Sequence, residues 1–320
     1  MLKRGCLLVM VAVLLSACSH HSPVRRASIK EFPPHVVQQS RMVSSFSEVT
    51  VSGRLNVSLH TGYKKPLLVL KGDPRDLAQV SVVVRNQGLL VSLGAGYPQY
   101  GEVSADIQGS SLDLFRFDGA GLVTGNQLST KFLSLYLDNQ GTTRLGGSLG
   151  IQDLVVKGDG LTQLSGVNSS HMKIHLIGKP KVQISGVVQL AELHIDGDSS
   201  LSLYWLKSRH LVITGRKKAK IQLAGIVNRL EVELWGESQF KGRYLRARRS
   251  FIKTHNRSIA EITSVNHQSS KASDTSDIYY YNIPDTRADF MVKDGSVLDM
   301  RNLTSPFMDE EYTRYNKQFP

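Results

Sequence analysis

A short apolar strand motif that returns about every twenty residues is the feature that most limits how this chain can fold. Leu154-Val-Val-Lys-Gly158, Ile174-His-Leu-Ile-Gly178, Leu193-His-Ile-Asp-Gly197, Leu211-Val-Ile-Thr-Gly215 and Val232-Glu-Leu-Trp-Gly236 share one pattern. Their glycines lie 20, 19, 18 and 21 residues apart. Leu135-Tyr-Leu-Asp-Asn139 adds a unit before them and Phe251-Ile-Lys-Thr-His255 one after. A second short strand follows in each unit, as in Val182-Gln-Ile184, Leu201-Ser-Leu203 and Ala219-Lys-Ile-Gln-Leu223. Apolar residues two apart point to one face of a strand, with a variable residue between them pointing away. A unit this small cannot bury that face alone, but stacked units close a continuous core. Glycine or asparagine at the end of the motif suits a corner that needs a positive φ. Leucine-rich repeats share the period, but their helix and asparagine ladder are missing here. The expectation is all-β: a parallel right-handed β-helix, or solenoid, with rungs of about 20 residues. An antiparallel sandwich with evenly spaced strands is the alternative.

The repeat occupies residues 44–303. It is entered through strands with turn punctuation: Val49, Val51, Leu55, Val57 and Leu59, then Leu68–Leu70, Val80–Val84 and Leu89–Leu93. No stretch before Ala288 has a helical period. The polar run Asn266–Asp277 is predicted to be a loop, and Ile278–Tyr281, Phe290–Val292 and Val297-Leu298 to cap the coil. The tail 304–320 is charged and short of apolar residues.

Ahead of the repeat, residues 1–17 have the parts of an export signal: Lys3 and Arg4, an apolar run from Cys6 to Leu15, then small residues. The run is too short to span a hydrocarbon core, which takes about 20 apolar residues. Leu15-Ser16-Ala17-Cys18 resembles the bacterial lipobox, which implies cleavage before Cys18 and acylation of its sulfur. An ordinary cleavable signal with an incidental cysteine is the alternative. Ser19 is not the aspartate that resembles an inner-membrane retention signal, so outer-membrane sorting is implied. Single acyl chains hold proteins marginally; resemblance to the lipoprotein class implies several. The chain has two cysteines, and loss of Cys6 with acylation of Cys18 leaves no thiol for a disulfide, a metal or a nucleophile. Residues 18–43, polar, basic and proline-containing, read as a flexible tether.

Charge is concentrated in one segment. Of a formal net charge of +12, most comes from residues 207–253, where thirteen basic residues face Glu231, Glu233 and Glu237. Arg209, Arg229 and Arg249 fall just before the first strand of successive units, which predicts a column of arginines about 4.8 Å apart. With Lys217, Lys218, Trp205 and Trp235 they form the candidate binding set, since cations beside aromatic faces suit acidic polysaccharide, lipopolysaccharide or anionic lipid. Nucleic acid would fit electrostatically, but export makes it a poor partner. A solvated basic flank is the alternative reading. His175 and His194 are expected to stack on neighbouring rungs, with Val212 in the next rung and so no third metal ligand. Asp118, Asp138 and Asp196 share a turn column interrupted by Lys157 and Ile177. No catalytic triad, zinc spacing or phosphate loop stands out, and no cofactor is implied.

Phe46-Ser-Glu-Val-Thr-Val-Ser-Gly53, Leu55-Asn-Val-Ser-Leu59, Val69-Leu-Lys-Gly-Asp73 and Gly88-Leu-Leu-Val-Ser-Leu93, with the Ser165-Gly166 and Ser185-Gly186 turns, resemble the putative auto-transporter adhesin family with a head GIN domain. The Ser-Gly turn is lost at Tyr204-Trp205 and altered at Ala224-Gly225. The resemblance implies a β-solenoid and an adhesive, non-enzymatic role at the envelope. Two other readings remain: a structural or assembly lipoprotein without a ligand, and a β-helical polysaccharide lyase or hydrolase.

Overall fold

A computed structural model describes residues 35–301. The predicted export signal, Cys18 and the tail 304–320 lie outside the described residues. The chain opens with β1 (Val37–Met42), β2 (Glu48–Gly53) and β3 (Asn56–His60). An excursion follows through β4 (Leu67–Gly72), a helical turn α1 (Pro74–Leu77), β5 (Val80–Arg85), β6 (Gly88–Leu93) and β7 (Ser104–Gln108). The coil proper runs through β8 (Leu114–Gly119), β9 (Leu122–Asn139), β10 (Thr142–Lys157), β11 (Leu161–Gly178) and β12 (Lys181–Gly197). It continues with β13 (Ser200–Lys217), β14 (Lys220–Leu234), β15 (Gln239–Thr254) and β16 (Ile259–Ser273). It ends in β17 (Asp277–Tyr280), β18 (Arg287–Lys293) and β19 (Ser296–Asp299).

Each strand from β9 to β16 pairs in parallel with the next, giving a solenoid of about nine turns with rungs of about 20 residues. Register shifts between β11 and β12 fall at Ser165/Val167 and Ser169/Met172, so a rung bends twice and shows three faces. The first face carries residues such as Leu161–Ser165, the second Val167–Ser169 and the third Met172–Gly178. Inward positions form ladders. On the third face Leu154, Ile174, Leu193, Ile213, Val232 and Ile252 stack rung on rung, all buried. Burying one such side chain contributes about 1.5–3 kcal/mol.

The register corrects one step of the sequence alignment. Ile195 pairs with Gly215 and Gly197 with Lys217, so the corner residue of that rung is Lys217, with φ 66°. Gly215 is an inward position, and a Cβ there would lie 2.9 Å from Leu234 Cδ2. Its missing side chain makes room for that leucine. The corners then fall at Gly158, Gly178, Gly197, Lys217, Gly236, Asn256 and Asp274, all at positive φ. Asparagine and aspartate tolerate that conformation better than most residues.

At the N-terminal end, β2 pairs in parallel with both β6 and β8, and β3 with both β7 and β9. The excursion between β3 and β8 therefore closes the first rung from outside. Antiparallel β5 and β4 cover β6 and β7, and β1 pairs antiparallel with β4. The last residues of the stretch read as a tether are thus an edge strand. Asp73 caps α1, and buried Asp76 accepts the backbone N–H groups of Gln99 and Tyr100 at 2.8 and 2.9 Å.

The polar run after Val265 is not a loop: β16 continues to Ser273 and pairs with β15 and β18. Here hydrogen bonds replace apolar packing inside the rung. Buried Gln268 donates to Ser270 Oγ at 2.7 Å, Asn282 donates to Gln268, and Asn282 Oδ1 accepts the Ser264 N–H at 2.8 Å. Satisfied buried polar groups are tolerated where unpaired ones are not, so a polar sequence can still coil. Among the described residues no helix is long and apolar enough to cross a membrane.

Candidate functional site

The residues of the predicted basic set do not share one face. Arg229 and Arg249 are register partners at the corner between second and third faces, but the residue beside Arg229 on the preceding rung is His210, not Arg209. The column continues through His267 to Arg287, so the ladder reads His210, Arg229, Arg249, His267, Arg287. Arg209 and Arg248 precede His210 and Arg249 in the chain and are exposed beside it. The outcome is a ridge with five arginines, shifted by one residue from the expected column.

Only part of this ridge is neutralised. Glu231 Oε1 accepts Arg229 Nε at 2.7 Å and lies 3.0 Å from His210 Nε2. Arg229, and then His210, hold that carboxyl below its ordinary range. The Arg229 guanidinium also lies 4.6 Å from the Phe251 ring centroid. His267 faces Asp289 at 3.4 Å. Arg209, Arg248, Arg249 and Arg287 have no carboxylate within ion-pair distance among the described residues. A recess of about 360 Å³, lined by Ser170, His171, Gln189, Ser208, Arg209 and His210, opens onto the same corner.

Lys217, Lys218 and Trp235 belong to a different edge, the turn from the third face into the next rung. Lys217 Nζ meets Asp196 at 3.0 Å and Lys218 Nζ meets Glu237 at 3.5 Å. Trp235 stacks on His255, with centroids 3.8 Å apart and planes 11° from parallel. Trp205 sits on the remaining edge, between first and second faces, at φ 69°. Neighbouring rungs carry Gly166, Gly186 and Gly225 at that corner. A bulky residue in this conformation costs about 1–2 kcal/mol relative to glycine.

His175 and His194 do stack, with rings 4.8 Å apart. Thr214, not Val212, follows His194 on the next rung. Glu192 lies 2.5 Å from His194 Nε2 and 3.6 Å from Lys173 Nζ. Burial and the neighbouring His194 lower the His175 pKa. Asp118 pairs with Asp138 and that with Lys157, as the sequence implies.

Sequence reasoning missed a groove of about 590 Å³ on the first face. Two adjacent columns build it. One reads Arg144, Gln163, Gln183, Ser202; the other Gly146, Ser165, Ser185, Tyr204, with Asn126 at the start. No aspartate or glutamate lines it. Each residue is unremarkable in its own rung, and only the register collects them.

Over residues 45–191 and 188–284 the sequence matches the family named "Putative auto-transporter adhesin, head GIN domain". The chain belongs to this family. The two head GIN segments overlap on β12, so the family pattern runs across rungs without a break. No curated protein matches the sequence. Among solved structures, a "putative lipid binding protein" from Parabacteroides distasonis is 13% identical, covering 83% of this chain and 96% of its own, with a TM-score of 0.47. A "putative adhesin" from Bacteroides fragilis is 14% identical over 83% of this chain and 97% of its own, with a TM-score of 0.37. Another from Parabacteroides merdae is 14% identical over 82% and 95%, with a TM-score of 0.40.

Proposed function

We propose that this head GIN chain is an outer-membrane lipoprotein, anchored through Cys18, that acts by adhesion and not by catalysis. Its adhesive surface is the arginine ridge between the second and third faces, and its partner is an anionic surface polymer such as acidic polysaccharide or lipopolysaccharide. The observation that carries this reading is the unbroken column His210, Arg229, Arg249, His267, Arg287, with Arg209 and Arg248 beside it. Like charges one rung apart repel by about 1 kcal/mol even in water. A polyanion laid along the ridge removes that repulsion and gains from it. Most glycoside hydrolases work with a pair of carboxylates, and no aspartate or glutamate lines the first-face groove.

The test is binding of the mature chain to immobilised lipopolysaccharide and acidic polysaccharide, with Arg229→Glu/Arg249→Glu as the variant. Loss of binding, together with weakening by salt in the wild type, is the expected result; retained binding refutes the ridge. Labelling with radioactive palmitate, lost in Cys18→Ser, tests the anchor.

A second reading, assembly with other envelope proteins, is favoured by β18. Among the described residues this strand pairs only with β16, and it leaves Phe290, Met291 and Val292 exposed on the last turn. Cross-linking in intact cells that depends on those three side chains would support it.

A further inference from the structure

We infer that the groove on the first face is a second binding site, for a neutral oligosaccharide lying along the coil axis. Its shape comes from a run of minimal side chains. Between Asn126 and Tyr204 the outer column holds Gly146, Ser165 and Ser185 on successive rungs. A Cβ on Gly146 would already approach Ser165 Oγ to 2.6 Å, so larger residues would fill the space. Five rungs at about 4.8 Å per step make a trough roughly 19 Å long. Its volume of about 590 Å³ falls within the range of ligand sites.

The inner column supplies ordered polar groups. Arg144 Nε donates to Gln163 Oε1 at 3.1 Å, and Gln163 Nε2 donates to Gln183 Oε1 at 2.9 Å. Arginine can only donate. It therefore fixes which end of Gln163 faces it, and Gln163 in turn fixes Gln183. The ladder holds both amides in one orientation before any ligand arrives, which reduces the ordering cost of binding. The Ser165 and Ser185 hydroxyls donate to the carbonyl oxygens of Leu145 and Leu164 at 3.5 and 3.4 Å, which leaves their oxygens as acceptors. With spare amide N–H donors, spare amide lone pairs and the Ser202 hydroxyl they make a mixed surface. A sugar hydroxyl both donates and accepts, so it matches such a surface.

The same inventory argues against other occupants. Carboxylate and phosphate groups accept only and call for several cations, and Arg144 is the one cation lining the groove. A peptide strand would need free backbone groups, but the backbone here is already paired with the rungs on either side. Tyr204 closes the trough with an exposed aromatic ring, an amphipathic surface for the C–H face of a sugar. The absence of carboxylates from the lining makes the site one that holds a chain without cutting it. The groove is on a different face from the arginine ridge, so the two sites fail or succeed independently.

The experiment is a binding screen of the mature chain against labelled neutral oligosaccharides of glucose, galactose and mannose, beside acidic ones. Neutral chains are expected to bind, with little dependence on salt. Gln163→Ala/Gln183→Ala removes about two neutral hydrogen bonds and should weaken that binding about tenfold. Ser165→Tyr fills the trough from an exposed position and should abolish it. Arg229→Glu/Arg249→Glu should leave it unchanged. An unaltered thermal midpoint shows that each variant is folded. The inference is overturned if no neutral oligosaccharide binds, or if binding survives both groove variants.

Discussion

Replacing Gly186 by alanine puts the corner geometry of the coil under direct test. Gly186 has φ 143°, and a Cβ built on it would lie 2.0 Å from the carbonyl oxygen of Val167 on the adjacent rung. Two costs add. The backbone conformation is sparsely populated by residues with a Cβ, worth about 1–3 kcal/mol. Restoring ordinary contact requires the neighbouring strand to move by more than an ångström, which weakens one or two inter-rung hydrogen bonds at about 1 kcal/mol each. The sum is roughly 2–5 kcal/mol, and for a body of this size it lowers the thermal midpoint by on the order of ten degrees. Gly146→Ala is the control. Its φ is not positive, and its new methyl group would meet the Ser165 hydroxyl, which can rotate away. It should cost less than about 1 kcal/mol. Far-UV circular dichroism melts of the two variants decide the matter. If Gly186→Ala melts within a degree or two of Gly146→Ala, the Val167 carbonyl does not sit over that corner and the rung register is wrong.

Other outcomes follow from the same packing. Leu193→Ala, flanked by Ile174 and Ile213 in the buried ladder, should lose about 2–5 kcal/mol in denaturant melts. Asn282→Ala leaves the Ser264 N–H and Gln268 without their partner and should cost about 1–3 kcal/mol. Faster hydrogen exchange confined to β16 would confirm that cost. Asp73 is buried and accepts Arg75 Nε and Nη2 at 2.8 Å each; chiefly through that side chain its carboxyl is held well below the usual range. A depressed carboxyl stabilises fully above its unfolded pKa of about 3.9 and less as pH falls towards the lowered value. Asp73→Asn should therefore lower the melting temperature at pH 7 and flatten its fall in acid; an unchanged acid limb would refute the pairing.

Much of this architecture could be read from the chain itself. The twenty-residue return, the inward alternation of residues such as Leu154, Val156, Ile174 and Leu176, and the glycine corners are local patterns that each rung must repeat. Steric demands at a corner and the pleat of a strand act within a few residues, so they leave a mark in sequence. The pattern read as an export signal, ending at Cys18, is likewise a linear feature. The surface was a different matter. Corners absorb one residue more or less from rung to rung, and a slip of one carries an outer side chain from one edge to the next. That slip put His210 where Arg209 was expected, turned Gly215 inward, and sent Lys217, Trp235 and Trp205 to edges away from the arginines. The same pairing drew Gln163, Gln183 and Tyr204 into one groove and let Gln268 and Asn282 satisfy each other inside a rung. Inter-rung hydrogen bonds set that register, and they join residues whose individual sequences carry no sign of their neighbours.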